Sequence, residues 1–308
     1  MINRILIRIK VLQIVFAYYQ KENKDLQAAE NELLISLQRS YDLYYYLLLL
    51  IVELTNLHEQ QIDARKHKYL PTEEDLHPNT RFIDNRFARQ VATNETIRQY
   101  VREHGIAWTN ERVFVKKVLE MILESDIYTN YLHNPEDTYA TDQEFWRSVF
   151  RNLICGNEEI EDKLEDLNIF WNDDVEIIET FVLKTIKRFK EAEGSKQELL
   201  PMYKDEEDCD FVIRLFRDTM QHEEEYRERI NRHTKNWESE RIANMDMVIM
   251  QVALAEILNF PKIPTKVTLN EYIDAAKYYS TPKSSVFING ILDSIVKELK
   301  KEKLILKD

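Results

Sequence analysis

Glycine is almost absent from this chain: four glycines, at positions 105, 156, 194 and 290, and seven prolines serve 308 residues. Turn-rich β folds and parallel α/β sheets need many tight connections, and those connections draw on these two residues. The fold class expected is therefore all-α. An apolar fraction of 44% with 11% aromatics is ample to fill a core, and the length suits one large or two smaller domains. The same scarcity excludes a GxGxxG turn and a phosphate-cradling P-loop.

One of the four glycines stands where a glycine is costly. Gly290 lies in SSVFINGIL (284–292), inside an apolar helical pattern, where glycine costs about 1 kcal/mol relative to alanine. Ile288, Ile291, Leu292, Ile295 and Leu299 form the core stripe of that last helix. At about 100° per residue Gly290 projects away from the stripe, beside Lys283, Val286, Asp293 and Lys297. A bare spot on a polar face admits the close approach of another backbone. That backbone is either a neighbouring helix or a bound chain.

Periodicity predicts a first helix from about Asn3 to Lys21, with Ile5, Ile9, Leu12 and Phe16 on one face and Arg4 and Arg8 on another. A long helix follows over about 26–57, then an exposed connection, KYLPTEEDLHPNT. Three or four helices are expected between about 85 and 193, with breaks near Gly105, HNPEDTYATD and Gly156. A helix over about 205–233 leads to MDMVIMQVALAEIL, apolar nearly all round and so expected as a central helix. In the next segment Thr268 and Glu271 read as a capping box, with Val267 and Tyr272 as a hydrophobic staple. Thr281 and Pro282 open the last helix.

The net charge of −13 is unevenly spread. Residues 1–24 carry five Lys/Arg against one Glu, and residues 262–308 carry nine Lys against six acids, so the ends are +4 and +3 and the middle is −20. Basic ends that meet in space can build an anion-binding surface. Cys155 and Cys209 show no ligand spacing and read as reduced intracellular thiols. The most apolar run, LYYYLLLLIV, has ten residues, too few for a bilayer, and no signal-peptide layout is seen. A soluble, cytoplasmic protein is expected. His222 and His233 share a helix face without metal-site spacing, and no nucleophile, base and orienter stand out. Neither a catalytic activity, nor a cofactor, nor a metal is expected.

Several linked motifs resemble the NusB transcription antitermination family. NWESERIANMDMVIMQVALAEIL and IPTKVTLNEYIDAAKYYSTPKSSVFINGILDSI are similar to its C-terminal half, with Lys266 and the Phe-x-Asn-Gly element of Phe287, Asn289 and Gly290 in place. DFVIRLFRDTMQHEEEYRERINRHTKNW resembles its preceding helix and RILIRIKVLQIVFAYYQ its first. The resemblance implies two packed helical bundles and a non-catalytic RNA-binding factor. It implies partnership with NusE, a small-subunit ribosomal protein, recognition of boxA-like single-stranded RNA in ribosomal RNA transcripts, and an indirect association with the RNA polymerase elongation complex. On this reading Arg4, Arg8, Lys283, Phe287, Asn289 and Gly290 face RNA, while Glu240 and Asp246 face NusE. The domain division expected is 1–60 and 201–308 for the family core, with 61–200 an inserted helical region of unreadable role. Ile5 and Leu6 stand where the family commonly has further arginines. That departure keeps a second reading open, a helical protein-binding scaffold that has lost RNA binding; fusion to an RNA methyltransferase is disfavoured by the missing glycine motif.

Overall fold

The structure, a computed structural model, describes residues 1–234 and 244–307. Among these are fifteen α-helices and no sheet; the only β-type pairing is an isolated bridge from Ile2 to Tyr203. The chain forms two compact units, one of Met1 with Gln38–Met202 and one of Ile2–Leu37 with Tyr203–Asp308. Residues 38–60, grouped with the N-terminal core in the expected division, thus lie in the first unit. No described helix is long and apolar enough to cross a membrane.

Helix α1 (Arg4–Gln20) begins where the Asn3 side chain accepts a hydrogen bond from the Leu6 N–H. Helix α2 (Leu26–Lys66) opens in the second unit and continues through the first. It runs nine residues past the expected end.

In the first unit α3 (Glu73–Leu76), α4 (Arg86–Thr93), α5 (Glu95–His104), α6 (Arg112–Leu123), α7 (Asp126–His133), α8 (Tyr139–Val149), α9 (Glu158–Leu167) and α10 (Val175–Arg188) follow. Seven of these, α4 to α10, lie between 85 and 193, where three or four were expected. Most of the extra boundaries are set by side-chain caps rather than by glycine or proline: Asn85, Asn94, Ser125, Thr138 and Asn157 each accept a backbone N–H at a helix start. Gly105 ends α5 with φ +64°, the left-handed conformation that favours glycine at this position. The core is aromatic. Tyr46 stacks on Trp108 at 3.9 Å and Tyr45 on Tyr100 at 3.7 Å, and Phe82, Phe145 and Trp146 meet at angles. The indole N–H of Trp108 reaches the Tyr46 carbonyl at 2.9 Å, so its burial leaves no donor unpaired.

The second unit is completed by α11 (Glu206–Gln221), α12 (Glu223–His233), α13 (Asn244–Asn259), α14 (Thr265–Tyr279) and α15 (Ser284–Lys301). The expected single helix over 205–233 is two, parted at His222. Helix α13 is buried from Val248 through Ile257 and packs against α1, α11, α12, α14 and α15, the central position its all-round apolarity requires. Three expectations need correction. The last helix starts at Ser284, so Thr281 and Pro282 lie in the turn before it rather than opening it. Helix α14 starts at Thr265, directly after Pro264, so Thr268 lies inside the helix rather than at its cap. On α1, Ile5 is 46% exposed, whereas Arg8, Val11 and Val15 are buried; the arginine face, not the Ile5 face, turns to the core.

Candidate functional site

The reason an arginine can face the core is Glu256. In the middle of α13, with no exposed surface, its carboxylate accepts two hydrogen bonds from the Arg8 guanidinium at 2.8 Å, one from the Thr268 hydroxyl at 2.8 Å and one from the Tyr272 hydroxyl at 3.1 Å. All its lone pairs are engaged, which is what a buried carboxylate needs. Burial and the neighbouring carboxylate hold the Tyr272 phenol well above its usual range, so it stays a donor. Arg8 itself is 5% exposed, and Glu271 lies 3.6 Å from its outer nitrogen. The expectation that Arg8 faces RNA is thereby corrected: it is a pin joining α1 to α13 and α14. The sequence held a signal for this, since a glutamate in an otherwise apolar buried helix demands a cation.

Arg4, one turn earlier, is half-buried. Its Nε donates to Asp208 at 2.8 Å, and its guanidinium lies 5.1 Å from the centre of the Phe211 ring. It lines a cleft of about 260 Å3 with Phe211, Arg214, Phe260 and Lys262. The two phenylalanines meet edge to face at 4.9 Å, and Arg214 lies over Phe260 at 4.8 Å. Lys262 is paired with Glu207 at 2.6 Å. The cations of this cleft are thus largely neutralised by α11 acids.

The remaining RNA-facing candidates stand at the start of α15, with Lys283 as the residue before its first turn. Lys283, Asn289 and Gly290 are exposed and Phe287 is half-buried. Among the described residues Lys283 has no ion pair and the Asn289 amide no hydrogen-bond partner, whereas Asp293 and Lys297, further along the helix, are paired with each other at 2.7 Å. A Cβ added at Gly290 would meet nothing within 4 Å, so no described helix occupies the bare spot. The other three glycines all have positive φ and Gly290 does not. Among the described residues its lack of a side chain serves neither a turn nor an internal contact.

Of the two acids assigned to a partner, Glu240 lies outside the described residues. Asp246 is buried at the start of α13, where its carboxylate accepts hydrogen bonds from the hydroxyls of Ser280 and Ser284. The two serine oxygens are 3.0 Å apart, and Ser284 also accepts the Thr281 N–H. Asp246 therefore clamps the turn between α14 and α15 rather than presenting a charge to solvent. Sequence reasoning missed these serines because nothing in STPKSS marks which hydroxyls face inward.

Comparison of the sequence with known proteins identifies relatives. The NusB family model matches residues 173–297, so the match begins just before α10 in the first unit and ends within α15. The transcription antitermination protein NusB of Salinibacter ruber is 38% identical over 124 residues, 38% of this chain and 78% of that protein. The proteins of the same name from Chloroherpeton thalassium and Koribacter versatilis are each 40% identical, over 98 and 99 residues that make up 46% and 68% of their lengths. These are names of transcription factors and not of enzymes. No solved structure matches the chain significantly. With more than three quarters of a relative aligned at this identity, and with the motifs that carry the likeness set on the all-helical second unit, the chain belongs to the NusB family.

Proposed function

We propose that this protein is a cytoplasmic transcription antitermination factor that binds boxA-like single-stranded RNA of ribosomal RNA transcripts together with NusE, and through that complex meets the elongating RNA polymerase. The observation that carries the reading is the face at the start of α15, where a cation and an amide without a partner among the described residues, a half-buried aromatic ring and a bare backbone lie within eight residues. Each has a natural counterpart in a single strand. Lys283 neutralises a phosphate, Asn289 pairs with a base edge, Phe287 offers its ring to a base, and Gly290 lets the sugar-phosphate chain pass close to the helix. Arg4 extends the surface only in so far as it can leave Asp208.

The test is binding of a labelled boxA-like RNA, measured by anisotropy with and without NusE. Tighter binding with NusE is expected, together with an affinity that falls as salt rises. Lys283→Ala should weaken it by less than tenfold and reduce the salt slope by about 0.7, the share of one phosphate contact on a single strand. Equal binding of a scrambled RNA, or no binding with NusE present, overturns the reading in favour of a protein-binding scaffold, which the inward turn of Arg8 otherwise supports. For the NusE surface, Glu240→Lys is the informative reversal. Reversing Asp246 would unseat Ser280 and Ser284 whatever else it does.

A further inference from the structure

Among the described residues Tyr278 is the most exposed aromatic residue of the second unit, at 84%, its ring stacks on no other aromatic ring and its hydroxyl makes no hydrogen bond, with only the neighbouring Lys277 interacting with it electrostatically. A single exposed tyrosine is ordinary, but a ring held in water beside other exposed groups offers an apolar face that a ligand can cover. It is also not alone. Val286 is 77% exposed on the facing helix, and Lys283, with no ion pair among the described residues, lies between them in sequence.

The clamp at Asp246 fixes where this group stands. Ser280 and Ser284 are held on one carboxylate with their oxygens 3.0 Å apart, so the end of α14 and the start of α15 are pinned to each other. Tyr278 lies two residues before the first serine and Phe287 three after the second. At a rise of 1.5 Å per residue they are set back by only about 3 Å and about 4.5 Å along their helices. Two aromatic residues thus flank one rigid turn that also carries a lysine. Holding such groups in place before a ligand arrives lowers the ordering cost of binding.

We propose that Tyr278 is a second base-stacking platform for single-stranded RNA, and that the strand engaged by Phe287 continues over the α14–α15 turn past Lys283 to Tyr278. This inference rests on the RNA-binding reading above and adds to it a specific residue and a direction for the strand. Stacking is sequence-tolerant, since every base has a face to offer, so Tyr278 contributes affinity rather than base selection.

The variants Tyr278→Ala and Tyr278→Phe separate the possibilities, because an exposed side chain can be changed without loss of the fold. With labelled boxA-like RNA and NusE present, Tyr278→Ala should weaken binding by roughly tenfold, in the range observed for loss of one stacked base, with the salt slope unchanged because no phosphate contact is lost. Tyr278→Phe should bind as the parent does. Binding that is normal in Tyr278→Ala while Lys283→Ala is weakened overturns the inference and leaves the RNA reading standing. Loss in Tyr278→Phe as well, or a change of salt slope in Tyr278→Ala, overturns stacking as its role. Weaker binding of NusE to Tyr278→Ala without RNA assigns the residue to the protein partner and likewise overturns it. Failure of the parent protein to bind RNA at all refutes the reading on which the inference rests.

Discussion

Arg8 and Lys283 come from the two basic ends of the chain and were assigned to one surface, yet they occupy opposite environments. Arg8 is sealed beneath α13 and α14 with its guanidinium bound to Glu256, whereas Lys283 is exposed and has no ionic partner among the described residues. A charge counted along the sequence becomes a charge on the surface only where the fold supplies no internal counter-ion. The first unit sharpens the contrast with an acid in the opposite predicament. Glu179 on α10 is 3% exposed, like Glu256, but the groups around it are Cys155, Gly156, Glu161 and Glu176, with no cation among them. One of its oxygens has no hydrogen-bond partner. Burial, reinforced by Glu161, raises its carboxyl to about 7.

The largest effect should come from breaking the buried pair. Arg8→Ala leaves the Glu256 carboxylate without its cation and should destabilise the protein by about 3 to 5 kcal/mol, read as an early thermal transition. Restoring neutrality with Arg8→Met and Glu256→Gln together should recover much of that loss. If Arg8→Ala instead melts normally and only RNA binding falls, Arg8 belongs with Lys283 after all.

Next in size is the proton on Glu179. Its folded value of about 7 lies above the unfolded value near 4.5, so the native state retains a proton that the unfolded chain releases. The contribution of this group to stability is fully present below pH 4.5, declines as pH rises and levels off above 7, by up to about 3 kcal/mol. Glu179→Gln should raise the melting temperature at pH 8 and leave it nearly unchanged at pH 5. An equal shift at both pH values would show that the acid is already solvated or neutralised by a partner.

The smallest effect on stability is expected at Gly290. Gly290→Leu meets open space and replaces a poor helix former with a good one, so melting should be unchanged or slightly later. RNA affinity should fall about tenfold, some 1.4 kcal/mol, if a strand passes this spot. An earlier melt with normal RNA binding would make the position a packing device and remove Gly290 from the exposed group that contrasts with Arg8.

Much of the second unit was legible in the sequence, because its strongest signals are local. The apolar run of α13, the Asn3 start of α1 and the orientation of Gly290 away from the α15 stripe follow from periodicity and capping alone. The face of α1 was not legible. Ile5 and Ile9 compete with Val11 and Val15 as a stripe, and only the distant Glu256 decides between them. The start of α14 was hidden because Thr268 offers the pattern of a cap while its hydroxyl is engaged with Glu256. In the first unit, helices such as α4 and α5 abut at a single residue, Asn94, which caps one while ending the other. Periodicity read across such a joint sees one helix. The family likeness reaches upstream to residue 173, beyond the motifs that disclosed it.

The hydrogen bonds between Arg8 and Glu256 join residues 248 positions apart. Protein synthesis proceeds at about 5 to 20 residues per second, so the arginine waits on the order of ten seconds to a minute for its glutamate to be made. Throughout that interval Leu6, Val11 and Val15 of α1 have no central helix to cover them, while all of the first unit after Met1 is synthesised and free to fold. The order of assembly is thereby set by the ribosome: the unit interposed in the sequence can be complete before the unit that encloses it has its centre. During this time the first helix is the part of the nascent protein most exposed to misassociation, and a slowly translated message would lengthen that exposure in proportion.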